Sequence, residues 1–210
     1  FQPGEFTASL PDGRIVSSLG GELLLFDPST RRYSTNSHPS SKPLRPLGFL
    51  KNGNICVQVL DSGEHVRIEE FDGKTFLAGT NPPPPIPGGT LLHACLATSA
   101  GAIWISSDAG LFRWMDNQWQ PQAQEELTTA VTCLAELNDG RIWAGTRESI
   151  WEYNGKTWDL VRLGFDRVNT IAPARDGSVW VASNGGLFRY TQGDWIDYSV
   201  QDGLSANAIT

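Results

Sequence analysis

The chain has 210 residues, of which 40% are hydrophobic and 19% are charged, and its formal net charge is −7. This composition is typical of a globular domain with an ample core, and the acidic balance argues against nucleic acid as a partner, because phosphate binding needs a concentrated positive surface. No apolar run approaches the ~20 residues of a membrane span, so we expect no membrane contact by this segment.

A turn motif followed by an apolar stretch recurs about every 40 residues, which predicts a repeat architecture. The first two copies have Val16 and Cys56 where the later three have tryptophan. The 22 glycines, and the lack of any long helical periodicity, favour short strands joined by tight turns. The marker glycines of the five copies are Gly13, Gly53, Gly101, Gly140 and Gly177.

Each copy contains four β-prone segments separated by turn residues, and four antiparallel strands joined by short turns make one propeller blade. In the fourth copy the predicted strands are 131–135, 142–144, 150–153 and 157–160, and in the fifth they are 169–174, 179–182, 187–190 and 195–198. The sequence therefore predicts an all-β fold, a β-propeller whose four-stranded antiparallel blades cover approximately residues 5–42, 43–86, 90–126, 128–163 and 166–199.

The predicted strands are apolar runs rather than alternating patterns, which is typical of sheets covered on both faces. Trp104, Trp143 and Trp180 begin the second strand of three successive copies. We interpret them as the side chains that fill the space between blades, rather than as an aromatic platform for a ligand.

A proline-rich run at 82–87 explains the one long spacing, between the second and third copies. Such a run favours an extended, unpaired conformation and cannot lie inside a sheet, so we expect a surface connection between blades. The alternative is a docking site for a proline-recognition module.

The three cysteines do not have the paired short spacings of a zinc site. Cys95 and Cys133 occupy the same place in adjacent copies, and Cys56 takes a tryptophan position. We interpret all three as buried thiols that act as small hydrophobic side chains. A Cys95–Cys133 bridge between neighbouring strands is the alternative.

The segment Asp139-Gly140-Arg-Ile-Trp143-Ala-Gly145-Thr146 resembles the two-component regulator propeller repeat. The resemblance covers copies three to five, where Gly110-Leu111 and Gly186-Leu187 supply the downstream pair of the motif. Copies one and two lack the tryptophan, and copy four departs from the pattern at Ser149-Ile150.

In that family such propellers typically form extracytoplasmic sensing regions of membrane-bound regulators, often hybrid histidine kinases. The resemblance implies seven blades per ring and signalling domains farther along the full-length protein, so the remaining blades and those domains are expected partners. Five blades are present here, and 200–210 is expected to be the first strand of a next blade. The alternative is that this strand closes a five-bladed ring.

A ligand is expected at the face where the loops between second and third strands meet the connections between blades. The chemistry of these loops differs between copies, and Arg147 and Glu148 are the first candidates because they replace a small glycine-type turn. Arg162 and Glu125 belong to the same connections. The predicted ligand is a small polar or saccharide molecule, the alternative being ordinary solvated turn charges, and the predicted ligand-binding residues are Asp108, Arg147, Glu148, Asn184, Arg167 and His93.

Catalytic residues, metal ligands and cofactors are not predicted, because no nucleophile motif, phosphate loop or paired metal ligands are present. The histidines, His38, His65 and His93, have no repeated spacing and no readable acid–base partner. His93 is placed just before the innermost strand of copy three, where it would face the central channel.

The favoured function is a non-catalytic, ligand-sensing propeller in the periplasm of a bacterial cell. The alternatives are a protein-interaction scaffold and a propeller lyase resembling streptogramin lyase. Fold alone does not separate these three, because propellers support all of them.

Overall fold

The computed structural model describes residues 7–9, 13–19, 21–50, 52–59, 67–77, 92–122, 127 and 131–209. These residues form an all-β propeller of five antiparallel four-stranded blades, as predicted. Blade one contains β1 (Thr7–Ser9), β2 (Ile15–Leu19), β3 (Glu22–Asp27) and β4 (Arg32–Asn36), and blade two contains β5 (Leu44–Phe49), β6 (Ile55–Val59), β7 (Arg67–Phe71) and β8 (Phe76–Leu77).

The other three blades follow the same order of strands. Blade three contains β9 (Leu92–Ala97), β10 (Ile103–Ser107), β11 (Gly110–Met115) and β12 (Gln118–Pro121). Blade four contains β13 (Cys133–Glu136), β14 (Ile142–Gly145), β15 (Ser149–Tyr153) and β16 (Trp158–Leu163), and blade five contains β17 (Val168–Pro173), β18 (Val179–Ser183), β19 (Gly186–Thr191) and β20 (Asp194–Tyr198).

The marker glycines form the turn between the first and second strands of every blade. Their φ angles lie in the left-handed region, where a side chain is strained, and range from 82° at Gly53 to 88° at Gly13. In blade four the amide of Gly140 donates to the carbonyl of Leu137 at 2.9 Å, which closes the turn. The repeat can therefore be recognised in the sequence, because each blade needs glycine at this turn position.

Aromatic side chains fill the spaces between blades three, four and five, which confirms the interpretation of the tryptophans. The Trp104 ring meets Tyr153 and Trp158 of the next blade edge to face, with centroids 5.0 and 5.6 Å apart. Trp143 is tilted against Tyr190 and stacked on Trp195 of blade five, with ring centroids 5.3 and 6.0 Å apart. Trp104 and Trp143 are each only 1% exposed, so these rings are core residues.

Trp180 holds the same register in blade five but is only half-buried. Its ring stacks on Tyr198 of its own blade, with centroids 5.7 Å apart. The difference arises because no described blade follows blade five and covers this face.

All three cysteines are free, so the alternative of a Cys95–Cys133 bridge is wrong. Cys56 is fully buried and packs in the core between blades two and three. Burial raises the pKa of the Cys133 thiol to about 12, which keeps the thiol protonated. Cys56 is buried as a small hydrophobic side chain, as expected, whereas Cys95 and Cys133 are only partly buried and pack against the core.

The segment after blade five differs from the predicted strand. Val200–Asp202 is a 3₁₀ turn with Ser199 as its N-cap, and no strand is assigned between 203 and 209. The amide of Ile209 donates to the Ser183 carbonyl at 3.0 Å, as the amide of Val168 does to Thr146 one blade earlier. Ile209 thus makes the backbone contact that Val168, the first residue of β17, makes one blade earlier.

Three features of the sequence analysis fall outside the described residues: the proline-rich run at 82–87, Glu125 and His65. Within the ranges given above, no helix is long and apolar enough to cross a membrane.

Candidate functional site

The propeller has two faces with different loops, because neighbouring strands in each blade run in opposite directions. We call the upper face the one formed by the loops between second and third strands and by the connections between blades. The lower face carries the turns between first and second strands and between third and fourth strands. The predicted ligand site belongs to the upper face.

Backbone hydrogen bonds join four of the predicted residues into one band on blades four and five. The amide of Arg167 donates to the carbonyl of Arg147 at 2.6 Å, and the amide of Phe165 donates to that of Glu148 at 3.2 Å. The amide of Asn184 donates to the carbonyl of Arg167 at 3.3 Å. Loops distant in sequence thus hold Arg147, Glu148, Arg167 and Asn184 in adjacent positions.

The charged side chains of this band face solvent. Arg147, Glu148 and Arg167 are exposed, and their side chains have no hydrogen bond or ion pair with any other residue that the structure describes. The loop beneath them is well held, because the Thr146 hydroxyl accepts from the amides of Glu148 and Ser149 at 3.2 and 3.0 Å. A rigid loop with unpaired charges can bind a polar ligand at low cost in conformational entropy.

The other two predicted residues lie on blade three. Asp108 is exposed in the turn between β10 and β11. His93 lies within the innermost strand β9, so its placement before that strand was wrong. The reason is an irregularity in the pairing of β9 and β10, which adds Leu92 opposite Ser107 and starts the strand earlier.

Arg162, named with the connections in the sequence analysis, belongs to strand β16, and its side chain is half-buried. Its guanidinium lies 4.9 Å from the ring centroids of Phe188 and Trp195. It also donates two hydrogen bonds of 2.8 Å to the carboxylate of Asp197 in blade five. Arg162 therefore joins two blades and is not available to a ligand.

The ion pair between Arg162 and Asp197 should make the stability of the protein depend on pH. The hydrogen bond from Arg162 lowers the pKa of Asp197 below its usual value. The ion pair therefore contributes fully to the free energy of unfolding above the unfolded pKa of about 3.9, and this contribution is lost as the pH falls through the folded pKa. Asp197→Asn should lower the free energy of unfolding by about 0.5–1 kcal/mol at pH 7, because the carboxylate is half exposed. Urea denaturation at pH 7 and near pH 2 tests this, and a difference that persists at low pH would contradict it.

A cavity of about 270 Å³ opens on the lower face, between blades three and four. Its walls include Trp104, Arg113, Tyr153 and the turn residues Ala100 and Ala102. Sequence analysis missed this cavity, although the two alanines were a readable signal, because other copies have polar or charged residues at those turn positions.

A buried polar cluster between blades one and two was also missed. Nε2 of His38 lies 2.9 Å from Oε2 of Glu69, and both residues are 6% exposed. The Arg67 guanidinium pairs with the same carboxylate. His38 thus has an acidic partner 31 residues away in the chain. Among the residues that the structure describes, no three His, Cys, Asp or Glu side chains are grouped so that they could hold a metal ion.

Comparisons with known proteins agree with this architecture. The family model described as two component regulator propeller matches residues 126–148, which include the turn of blade four and strands β13 and β14. No protein of curated function matches the sequence.

Solved structures of similar fold include lyases and extracellular domains of two-component systems. A streptogramin B lyase shares 15% identity and a TM-score of 0.70, and the match covers 93% of this chain and 68% of that one. A catalytically inactive virginiamycin B lyase from Staphylococcus aureus, solved with quinupristin, shares 12% identity and a TM-score of 0.71, with 96% of this chain and 72% of that one covered.

The extracellular domain of a hybrid two-component system from B. thetaiotaomicron shares 13% identity and a TM-score of 0.70. The match covers 97% of this chain and 29% of that domain, so this chain spans less than a third of it. At these identities the likeness to the solved structures concerns the fold alone. One repeat of the chain, residues 126–148, is similar to the two component regulator propeller model, and the described residues form five propeller blades.

Proposed function

We propose that this propeller is the ligand-binding part of a two-component sensor, placed outside the cytoplasm, and that it is not an enzyme. Signalling domains of the full-length protein would receive the signal. The repeat match at 126–148 and the shared fold with an extracellular sensor domain support this proposal.

The observation that carries the proposal is the set of three exposed, unpaired charged side chains on the upper face. Arg147 and Arg167 offer donors and Glu148 offers acceptors, on loops held by backbone hydrogen bonds. Beside them lies the half-buried amide of Asn184, whose Oδ1 accepts from Nδ2 of Asn169 at 2.9 Å. Donors and acceptors so mixed complement the hydroxyl groups of a small polar or saccharide ligand. Asp108 and His93 would extend the site onto blade three.

The test begins with a thermal-shift screen of neutral mono- and disaccharides, followed by calorimetric titration of any that bind. Arg147→Ala combined with Glu148→Ala should weaken binding at least tenfold, because each charged hydrogen bond contributes about 1.5–3 kcal/mol. Arg175→Ala, which removes an exposed arginine from a lower-face turn, is the matched control and should leave binding unchanged. Equal affinities for the double variant and the original protein would place the site elsewhere.

A lyase activity is the second candidate, because the fold is shared with streptogramin and virginiamycin B lyases. Incubation of the protein with quinupristin and Mg²⁺, followed by mass spectrometry and chromatography, separates the two. We expect unchanged quinupristin. Catalytic turnover that survives purification would overturn the non-catalytic assignment.

A further inference from the structure

The cavity between blades three and four lies where a third-strand side chain faces two turn residues. In each blade, one residue of the third strand is paired with the tryptophan position of the second strand. In blades two to five this residue is charged: Glu70, Arg113, Glu152 and Arg189.

Three of these four charged residues are bound by their own turn. The Glu70 carboxylate accepts from the side-chain Nδ2 groups of Asn52 and Asn54 at 3.0 and 2.9 Å. Glu152 accepts from Arg141 at 2.6 Å. Arg189 donates to Asp176 at 2.8 Å in blade five.

Arg113 of blade three has no such partner. The corresponding turn positions hold Ala100 and Ala102, whose methyl groups offer no acceptor and leave space. The only acceptor that a described residue offers to the Arg113 side chain is the Met115 thioether, a weak one, and Arg113 Nε is buried without a partner. Ala100 and Ala102 both line the cavity of about 270 Å³.

Aromatic rings and two carboxylates complete the surroundings of the guanidinium. It lies 5.5 and 5.8 Å from the ring centroids of Trp104 and Tyr153, which form an apolar wall. Glu136 already accepts from Ser99, and Asp139 already pairs with Arg141 at 2.7 Å. Glu136 and Asp139 both line the cavity, and each has hydrogen-bond donors other than Arg113, so the guanidinium has no carboxylate partner among the described residues.

We propose that this cavity is a second ligand site, independent of the upper face, which binds a small carboxylate on Arg113. A guanidinium binds carboxylates through two parallel hydrogen bonds, and this geometry is not reproduced by neutral ligands. At about 30 Å³ for each water-sized group, the cavity holds about nine non-hydrogen atoms. A flat ring bearing one carboxylate has this size and would lie against Trp104 and Tyr153.

Benzoate is the probe, with benzyl alcohol as the uncharged analogue. Titration followed by ¹H–¹⁵N NMR should shift the indole signal of Trp104, with a dissociation constant on the order of 1 mM. Benzyl alcohol should bind at least tenfold more weakly. If benzoate does not bind, or if benzyl alcohol binds equally well, the proposal is wrong.

Substitutions at Ala100 and Arg113 test whether the guanidinium binds the carboxylate. Ala100→Asp restores the arrangement of Asp176 and Arg189 inside blade three, so it should weaken benzoate binding at least tenfold without loss of folding. Arg113→Gln should have the same effect, whereas Ala100→Ser, which adds no charge, should retain binding. Unchanged affinity in both Ala100→Asp and Arg113→Gln would overturn the assignment.

The double variant Arg147→Ala with Glu148→Ala should leave benzoate binding unchanged, so failure of this site and failure of the upper-face site are distinguishable.

Discussion

Trp143→Ala is expected to lower the free energy of unfolding by about 3–5 kcal/mol. The side chain is 1% exposed and packs on Tyr190 and Trp195 of the next blade, so truncation leaves a cavity that the two sheets cannot fill. Its indole also donates to Glu152 at 2.8 Å, and this acceptor loses a partner. Such a loss is a large fraction of the ~5–15 kcal/mol that stabilises a typical domain.

The matched control is Trp180→Ala, which removes the same ring from the same position of blade five. Because Trp180 is half-buried and stacks within its own blade, we expect a loss at least about 1 kcal/mol smaller. Guanidinium denaturation followed by circular dichroism measures both. Equal losses of unfolding free energy in the two variants would show that the packing of Trp143 between blades four and five does not stabilise the protein as expected.

Glu69→Leu is expected to lower the free energy of unfolding by about 3 kcal/mol. The Glu69 carboxylate is buried and is bound by His38 and Arg67. Since Nδ1 of His38 accepts from the Ser40 amide at 3.1 Å, its Nε2 carries the ring proton and would be left buried without an acceptor. The cost is that of an unpaired buried donor, added to the loss of the ion pair.

A double-mutant cycle tests this reasoning. His38→Leu should be costly by itself, because the Glu69 carboxylate would stay buried with one partner fewer. The double variant His38→Leu with Glu69→Leu should cost less than the sum of the single changes, by about 0.5–3 kcal/mol. Urea denaturation at pH 7 measures all three variants, and additivity within about 0.5 kcal/mol would refute a coupled pair.

The blades were predictable because their signals are local. A glycine at positive φ is needed at each first turn, and the apolar strands on both sides of it are fixed by the same ten or so residues. The strands of blades four and five were therefore predicted to within about two residues at nearly every end. The tryptophans were interpreted correctly for a related reason, since a large apolar ring at a fixed place in each copy has to be covered by the next copy.

Side-chain partners were less predictable, because they depend on contacts between blades. Arg162 and Asp197 lie 35 residues apart and meet only when strands β16 and β20 are aligned. His38 and Glu69 are brought together by the packing of blade two on the connection from blade one. His93 was misplaced because an irregularity in strand pairing is not visible in the residue pattern.

The sequence by itself determined the number of blades present, their strand order and the positions of the turn glycines, because backbone preference and hydrophobic pattern act over a few neighbouring residues. Only the tertiary structure decided which charges are satisfied. Arg162 lies between two blades, and Arg147 and Arg167 are exposed on the upper face. Arg113 lies opposite two alanines in a cavity. The physical reason is that an ion pair requires two side chains within about 4 Å, and that distance is set by the packing of whole sheets.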